Sequence, residues 1–271
     1  MKFLPVEGNT MRLDGGAMFG NCPKVLWQNW LQPDALNRIE LACRSLLFSN
    51  GSRKILFDVG IGAFFDPKMK ERYGIKSEKH ELLENLHHLD LDEGDIDAVV
   101  LTHLHFDHAG GMLPAFGDKE RLLFPNAKIY VGKEHWEHAE NPPKRERASF
   151  IPKLQELLKS SGRLELITTP HVEGLEGMHF SPIYGHTKGL LLVFLEDTRP
   201  VIVVSDLIPG LAWGNTAIAM GYDRFPEQTC REKEMLYRLA EEKGALLFFT
   251  HDPESPFAEV IKGELNPVHG L

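Results

Sequence analysis

The segment from Ile96 to Gly111 constrains this chain more than any other. An apolar run, Ile96-Asp97-Ala98-Val99-Val100-Leu101, passes without a turn signal into Thr102-His103-Leu104-His105-Phe106-Asp107-His108-Ala109-Gly110-Gly111. The run reads as a short buried strand, because β-branched and aliphatic residues pack well on a pleated surface. The stretch leaving its end carries three imidazoles and a carboxylate within six residues, a set that packing alone would not select. Histidine and aspartate supply the nitrogen and oxygen donors that suit zinc or iron. Alternate residues of an extended loop project to one side, so His103 and His105 can grip one ion. Asp107 and His108 lie a turn further on and can reach a second. Gly110 and Gly111 let the backbone pass close to the site and open the next helix.

Around this segment, strand and helix periodicities alternate. Leu41–Phe48 and Lys54–Val59 form a hairpin through Asn50-Gly51, the strongest short turn signal. Helices are expected over Ser77–Leu89 (Ser77 as N-cap), Lys133–Ala139, Pro152–Lys159 and Glu227–Lys243, the last stopped by Gly244. Strands are expected at Ala127–Val131, Leu164–Thr168, Met178–Tyr184, Leu190–Leu195, Val201–Ser205 and Ala245–Thr250. Sheets covered by helices, an α/β class, fit this order. No composition shift marks a linker, so 1–271 reads as a single domain, with 1–40 as an N-terminal extension packing on it. Three more polar residues follow apolar runs: His186 in Gly185-His186-Thr187, Asp206 after Val201–Ser205, and His251 after Ala245–Thr250. Ligands at matching ends of several strands converge on one rim of a sheet.

The His103-x-His105-x-Asp107-His108 string, followed in order by His186, Asp206 and His251, resembles the metallo-β-lactamase-fold superfamily over roughly residues 41–252. Asp58, in Ile55-Leu56-Phe57-Asp58-Val59-Gly60, matches that family's early Asp-x-Gly element. The resemblance implies an αββα four-layer sandwich with two divalent metal ions on one edge, zinc first and iron or manganese as alternatives. It implies that His103, His105 and His186 hold one ion and Asp107, His108 and His251 the other, with Asp206 bridging. It makes Asp58 the residue that orients a ligand histidine, and Asp107 a group that also receives or relays a proton. Two such ions lower the pKa of a shared water, giving hydroxide at neutral pH, and polarise a carbonyl or phosphoryl oxygen. The implied activity is hydrolysis of a small ester-like bond in a lactone, ester or thioester. The string looks like that of homoserine lactonases and is similar to the organophosphate-hydrolase and glyoxalase II branches. Homoserine lactonases carry a tyrosine three residues after the bridging aspartate, where this chain has Pro209. A mononuclear iron oxidoreductase of the persulfide dioxygenase type is the alternative, as is a phosphotriesterase-like hydrolase.

Composition narrows the partners. Thirty Lys+Arg against 39 Asp+Glu, a net charge of −9, leave no basic face for nucleic acid. No apolar stretch approaches the ~20 residues that span a bilayer, and the first ten residues do not read as a signal peptide. Three scattered cysteines without C-x-x-C point to a reducing compartment, so the expected location is the cytoplasm. The expected partner is a small molecule, held beside Phe106 and Trp213 as apolar pocket walls. Related lactonases pair through N-terminal or inserted elements, which makes 1–40, with Trp27, Trp30 and Leu31, a candidate homodimer surface. His80, His87 and His88 read as helix-surface residues. His135 and His138 share one helical face and also read as surface, and His269 falls in the tail. The Lys144–Arg147 charge run reads as a solvated connection.

Overall fold

The computed structural model describes residues 2–268, and His269 lies outside them. The chain divides into two compact units, each assembled from two separated stretches. One comprises residues up to Met11 with Ala42–Thr168; the other comprises Arg12–Leu41 with the chain from Thr169 onward.

The first unit is built on a six-stranded sheet ordered Lys2–Val6, Ser45–Ser49, Lys54–Phe57, Ala98–Leu101, Lys128–Gly132, Leu164–Ile167. The expected hairpin joins Ser45–Ser49 to Lys54–Phe57. In its turn Asn50 Oδ1 accepts from the N–H groups of Ser52 (3.1 Å) and Arg53 (2.8 Å), while Gly51 takes a φ of 89°. The last four strands run parallel; Ala98–Leu101, covered on both faces, is wholly apolar, while the edge strand Leu164–Ile167 leaves Glu165 and Leu166 exposed. Leu56, Val99, Leu101, Ile129 and Val131 pack with Trp136, Phe150, Leu154 and Leu158 into one core. The helix expected from Ser77 starts later, at Glu81–His87, with His80 as its cap. His80 Nδ1 accepts from Leu83 N–H (3.4 Å), and Ser77 Oγ instead accepts from Lys79 N–H (3.2 Å) within the preceding turn. His80 is buried, contrary to the surface expectation, and its Nε2 meets the Gly111 carbonyl at 3.0 Å. Burial pushes its imidazole below the ordinary histidine range. His87 and His88 are exposed, as expected.

The second unit is built on a sheet ordered Met178–Ile183, Leu190–Leu195, Val201–Val203, Leu246–Phe248, Phe257–Ile261, Glu264–Pro267. Its only parallel pair among the described residues is Val201–Val203 with Leu246–Phe248. The connection between those two strands includes the helix Pro226–Lys243, closed by Gly244 in the left-handed conformation.

Of the first forty residues, those up to Met11 belong to the first unit and the rest to the second. Lys2–Val6 is an edge strand of the first sheet, paired with Ser45–Ser49. Phe19 lies in the core of the second unit, stacked on Trp27 (5.4 Å) and Trp213 (4.6 Å). Trp213 is wholly buried there, its indole N–H donating to the Met18 carbonyl at 2.8 Å. A pocket wall must face solvent, and this indole is core.

Lys233, on the long helix of the second unit, is also buried. Its ammonium donates to the carbonyls of Trp213 (3.0 Å) and Ile218 (2.7 Å). Burial pushes it down to about 8, against the pull of Asp223 and Cys230. An unfolded lysine titrates near 10.4, so between these values the unfolded chain holds a proton that the folded chain has shed. Stability from this residue therefore rises with pH. Denaturant unfolding at pH 7.5 and 9.5 should show the wild type gaining on the order of 2 kcal/mol relative to Lys233→Met; parallel curves would refute the assignment.

Candidate metal centre

In the first unit the donors follow the end of Ala98–Leu101. His105 is extended (φ −65°, ψ 151°), and Phe106–Ala109 makes one helical turn before the tighter turn Gly110–Met112. A second loop, Asp58 to Gly62, is zipped against this one. Val59 N–H donates to the His108 carbonyl (2.8 Å) and Gly111 N–H to the Gly60 carbonyl (2.9 Å). Contact here is backbone to backbone: a Cβ on Gly111 would lie 1.9 Å from the Val59 oxygen. The expected close passage of the two glycines is therefore real, although its partner is the Asp58 loop.

Asp58 sits at the crossing with φ 51°, a left-handed value unusual outside glycine. Its Oδ1 accepts from Thr102 N–H (2.8 Å), and its Oδ2 from Thr102 Oγ1–H (2.8 Å) and His108 Nδ1–H (2.9 Å). An ionised carboxylate only accepts, so this pattern fixes tautomers. His108 carries its proton on Nδ1 and its lone pair on Nε2. Thr102 Oγ1 has committed its proton to Asp58, so at 3.2 Å it accepts from His103 Nδ1, which leaves the His103 lone pair on Nε2. His105 is reversed. Its Nε2 meets Glu146 Oε1 at 3.0 Å, leaving the lone pair on Nδ1. The ligand atoms of His103 and His105, and those of Asp107 and His108, lie within 4.8 Å of each other, and all four residues are buried.

The second unit gathers the other three. His186 follows Met178–Ile183, Asp206 stands in the turn Ser205–Leu207 beyond Val201–Val203, and His251 follows Leu246–Phe248. Ser205, fully buried with φ 48°, is strained at the entry to that turn, as residues beside functional groups often are. Asp206 Oδ2 lies 3.3 Å from His186 Nε2, and its Oδ1 lies 3.1 Å from His251 Nε2. One carboxylate thus turns its two oxygens toward two different imidazoles. His186 Nδ1 donates to Asp223 Oδ1 (2.9 Å), so its lone pair is on Nε2.

Several participants escaped sequence reading. Glu146, within the charge run expected to be solvated, is 5% exposed. Its Oε2 accepts from His138 Nε2 at 2.7 Å. His135 is fully buried and accepts the Leu104 N–H at 2.8 Å. The face shared by His135 and His138 was visible, but it points to the metal-donor loop and not to solvent. Asp223 had no signal of its own. Phe106 is partly buried, its ring against Tyr73 (4.9 Å) and Phe65 (5.6 Å). Burial pushes the Tyr73 phenol up, Arg72 opposes this, and the Asp107 charge adds to it.

Asp58→Ala leaves three buried donors without their acceptor. The expected cost is about 3–5 kcal/mol, the range for breaking a buried charged network. Urea unfolding of metal-free protein measures it, and a loss below about 1 kcal/mol would show that the loops are held by something else.

This chain is similar to several known proteins. The N-acyl homoserine lactonase AttM of Azorhizobium caulinodans is 28% identical over 176 residues, 62% of each chain. The N-acyl homoserine lactonase AiiB of Rhizobium rhizogenes strain K84 is 28% identical over 197 residues, 67% of this chain and 65% of its own. The chain thus spans less than two thirds of the length of these curated relatives. A probable metal-dependent hydrolase from Staphylococcus aureus has a solved structure that superposes with a TM-score of 0.89 at 26% identity, over 100% of this chain and 98% of its own. AidC, a dizinc quorum-quenching lactonase solved with a product, shares the fold at a TM-score of 0.75 and 20% identity, over 99% and 95%. The family model of the metallo-beta-lactamase superfamily matches residues 38–251, and this chain belongs to that superfamily, with its mixed α/β fold.

Proposed function

We propose that the chain is a metal-dependent hydrolase in which both donor sets serve one two-ion centre that opens a lactone. Esters and thioesters are the neighbouring substrates. In this reading His103, His105 and His186 hold one ion, Asp107, His108 and His251 the other, and Asp206 both. The supporting observation is the donor chemistry. Each half alone is an incomplete set, yet the lone pairs of His103, His105, His108 and His186 are fixed by buried partners, and Asp206 already divides its oxygens between two imidazoles. That donor set fits divalent zinc, and equally iron or manganese. Bound there, two such ions would polarise a substrate carbonyl and lower the pKa of a water enough to supply hydroxide at neutral pH.

The chain's own residues do the rest. Asp58, Asp223 and Glu146 hold imidazoles in one orientation, which raises their basicity toward a metal. Asp107, 8% exposed at the start of a helical turn, is the carboxylate that takes the proton released in the attack and returns it to the leaving oxygen. Phe106, Phe65 and Tyr73 offer an apolar surface beside it for an uncharged substrate arm. Lactones come first because the curated relatives are N-acyl homoserine lactonases. Pro209 replaces the tyrosine of homoserine lactonases, so the panel must be wider than that one ring. No helix among the described residues is long and apolar enough to cross a membrane.

Acid release in a pH-stat, with metal-loaded protein against lactones, thioesters, aryl esters and phosphotriesters, tests the proposal. Lactone opening should dominate and disappear on chelation. His103→Ala should lower it by more than the roughly 10–100-fold that follows loss of an outer partner. Fully loaded protein that turns over none of the four classes would overturn the reading.

A further inference from the structure

Three of the histidines assigned to metal are backed by carboxylates, and they are not backed alike. Asp58 and Asp223 each grip an Nδ1, leaving Nε2 outward. Glu146 grips the Nε2 of His105, leaving Nδ1. Glu146 is itself anchored, since its second oxygen is held at 2.7 Å by His138. His138 and His135 lie three residues apart on the helix Lys133–Glu140, and such residues share a face. His135 takes the N–H of Leu104, the residue between the two donors of the His-x-His pair. The Phe150 ring fills the space between, 5.1 Å from His105, 5.9 Å from His135 and 6.1 Å from His138, and its backbone bridges that of His105. The helix therefore reaches the donor loop twice, once at a peptide N–H and once, through Glu146, at an imidazole.

We infer that His138 and Glu146 form a positioning relay, mounted on the helix Lys133–Glu140, that keeps Nδ1 of His105 and not a ring C–H facing the metal and thereby tunes one of the two ions only. The inference rests on the two-ion reading above and deepens it. An imidazole can turn over about its Cβ–Cγ bond and exchange the positions of its nitrogen and carbon edges. A carboxylate fixed at its far oxygen makes one of those states much the better, because the other leaves a buried acceptor facing a C–H. His138 supplies the fixing. Glu146 neither reaches the substrate in this scheme nor ligates the metal; it acts through His105.

The test is metal binding, measured apart from turnover. Chelator-stripped full-length wild type, Glu146→Gln, Glu146→Asp and His138→Gln are titrated with cobalt(II), followed by visible absorption, and with zinc(II) against a competing chelator. Asp58→Asn, at the residue that backs His108 directly and His103 through Thr102 and so touches a ligand of each ion, runs beside them. Two binding steps are expected for the wild type. Glu146→Gln should weaken one step about 10–100-fold and leave the other. His138→Gln should weaken the same step less, Glu146→Asp should recover part of the loss, and Asp58→Asn should weaken both steps. Thermal unfolding of the metal-free variants separates this from damage to the fold. Equal weakening of both steps in Glu146→Gln, or a Glu146→Gln titration that overlays the wild type, overturns the relay while leaving the two-ion reading standing. A wild type that takes up fewer than two ions overturns both.

Discussion

The carboxylate of Asp58 is the constraint on which the first half of the site depends. It accepts from a main-chain N–H, a hydroxyl and an imidazole at once, and so ties the end of the central parallel strand to the helical turn that carries Asp107 and His108. Its backbone sits in a left-handed conformation that is costly for a residue with a side chain. The expense is borne where the neighbouring loop is clamped, with Gly60, Gly62, Gly110 and Gly111 permitting main chain to touch main chain. Moving any one of these parts disturbs the tautomer of His108 and, through Thr102, of His103.

Both units place their donors by the same rule. Asp58 and His103 stand just beyond the ends of the parallel strands Lys54–Phe57 and Ala98–Leu101. Asp206 and His251 stand just beyond the ends of Val201–Val203 and Leu246–Phe248, the parallel pair of the second sheet. Parallel strands bring their carboxyl ends to one edge, where side chains leave the sheet together and ligands bind in α/β proteins. The second pair is flanked by antiparallel strands on both sides, the first by an antiparallel strand on one side and the parallel strand Lys128–Gly132 on the other.

This rule explains what was legible in the sequence. The metal-donor string is local, and a strand end followed by four donors needs no knowledge of what lies across from it. His186, Asp206 and His251 were legible for the same reason, each following an apolar run. The backing layer was not. Glu146 lies 41 residues from His105, Asp223 37 from His186, and His135 31 from Leu104. Nothing local separates a buried glutamate from its exposed neighbours in Lys-Arg-Glu-Arg, and only the tertiary fold turns one of four charges inward. The same blindness made His135 and His138 look like surface and Trp213 look like a pocket wall: periodicity reports which residues share a face, but not what that face meets.

The division of the chain also bears on how the protein comes to exist. Its amino-terminal stretch of Phe19, Trp27 and their neighbours belongs to a core whose other ring, Trp213, is made far later; Met18 and Trp213, joined by a hydrogen bond, are 195 residues apart. At a ribosomal pace of about 5–20 residues per second, those aromatics wait on the order of 10–40 s for their partner. All residues of the first unit have been made by Thr168, before most of the second unit's chain exists. Aromatic surface left without its partner over that interval is exposed to aggregation, the general hazard of partly folded larger chains.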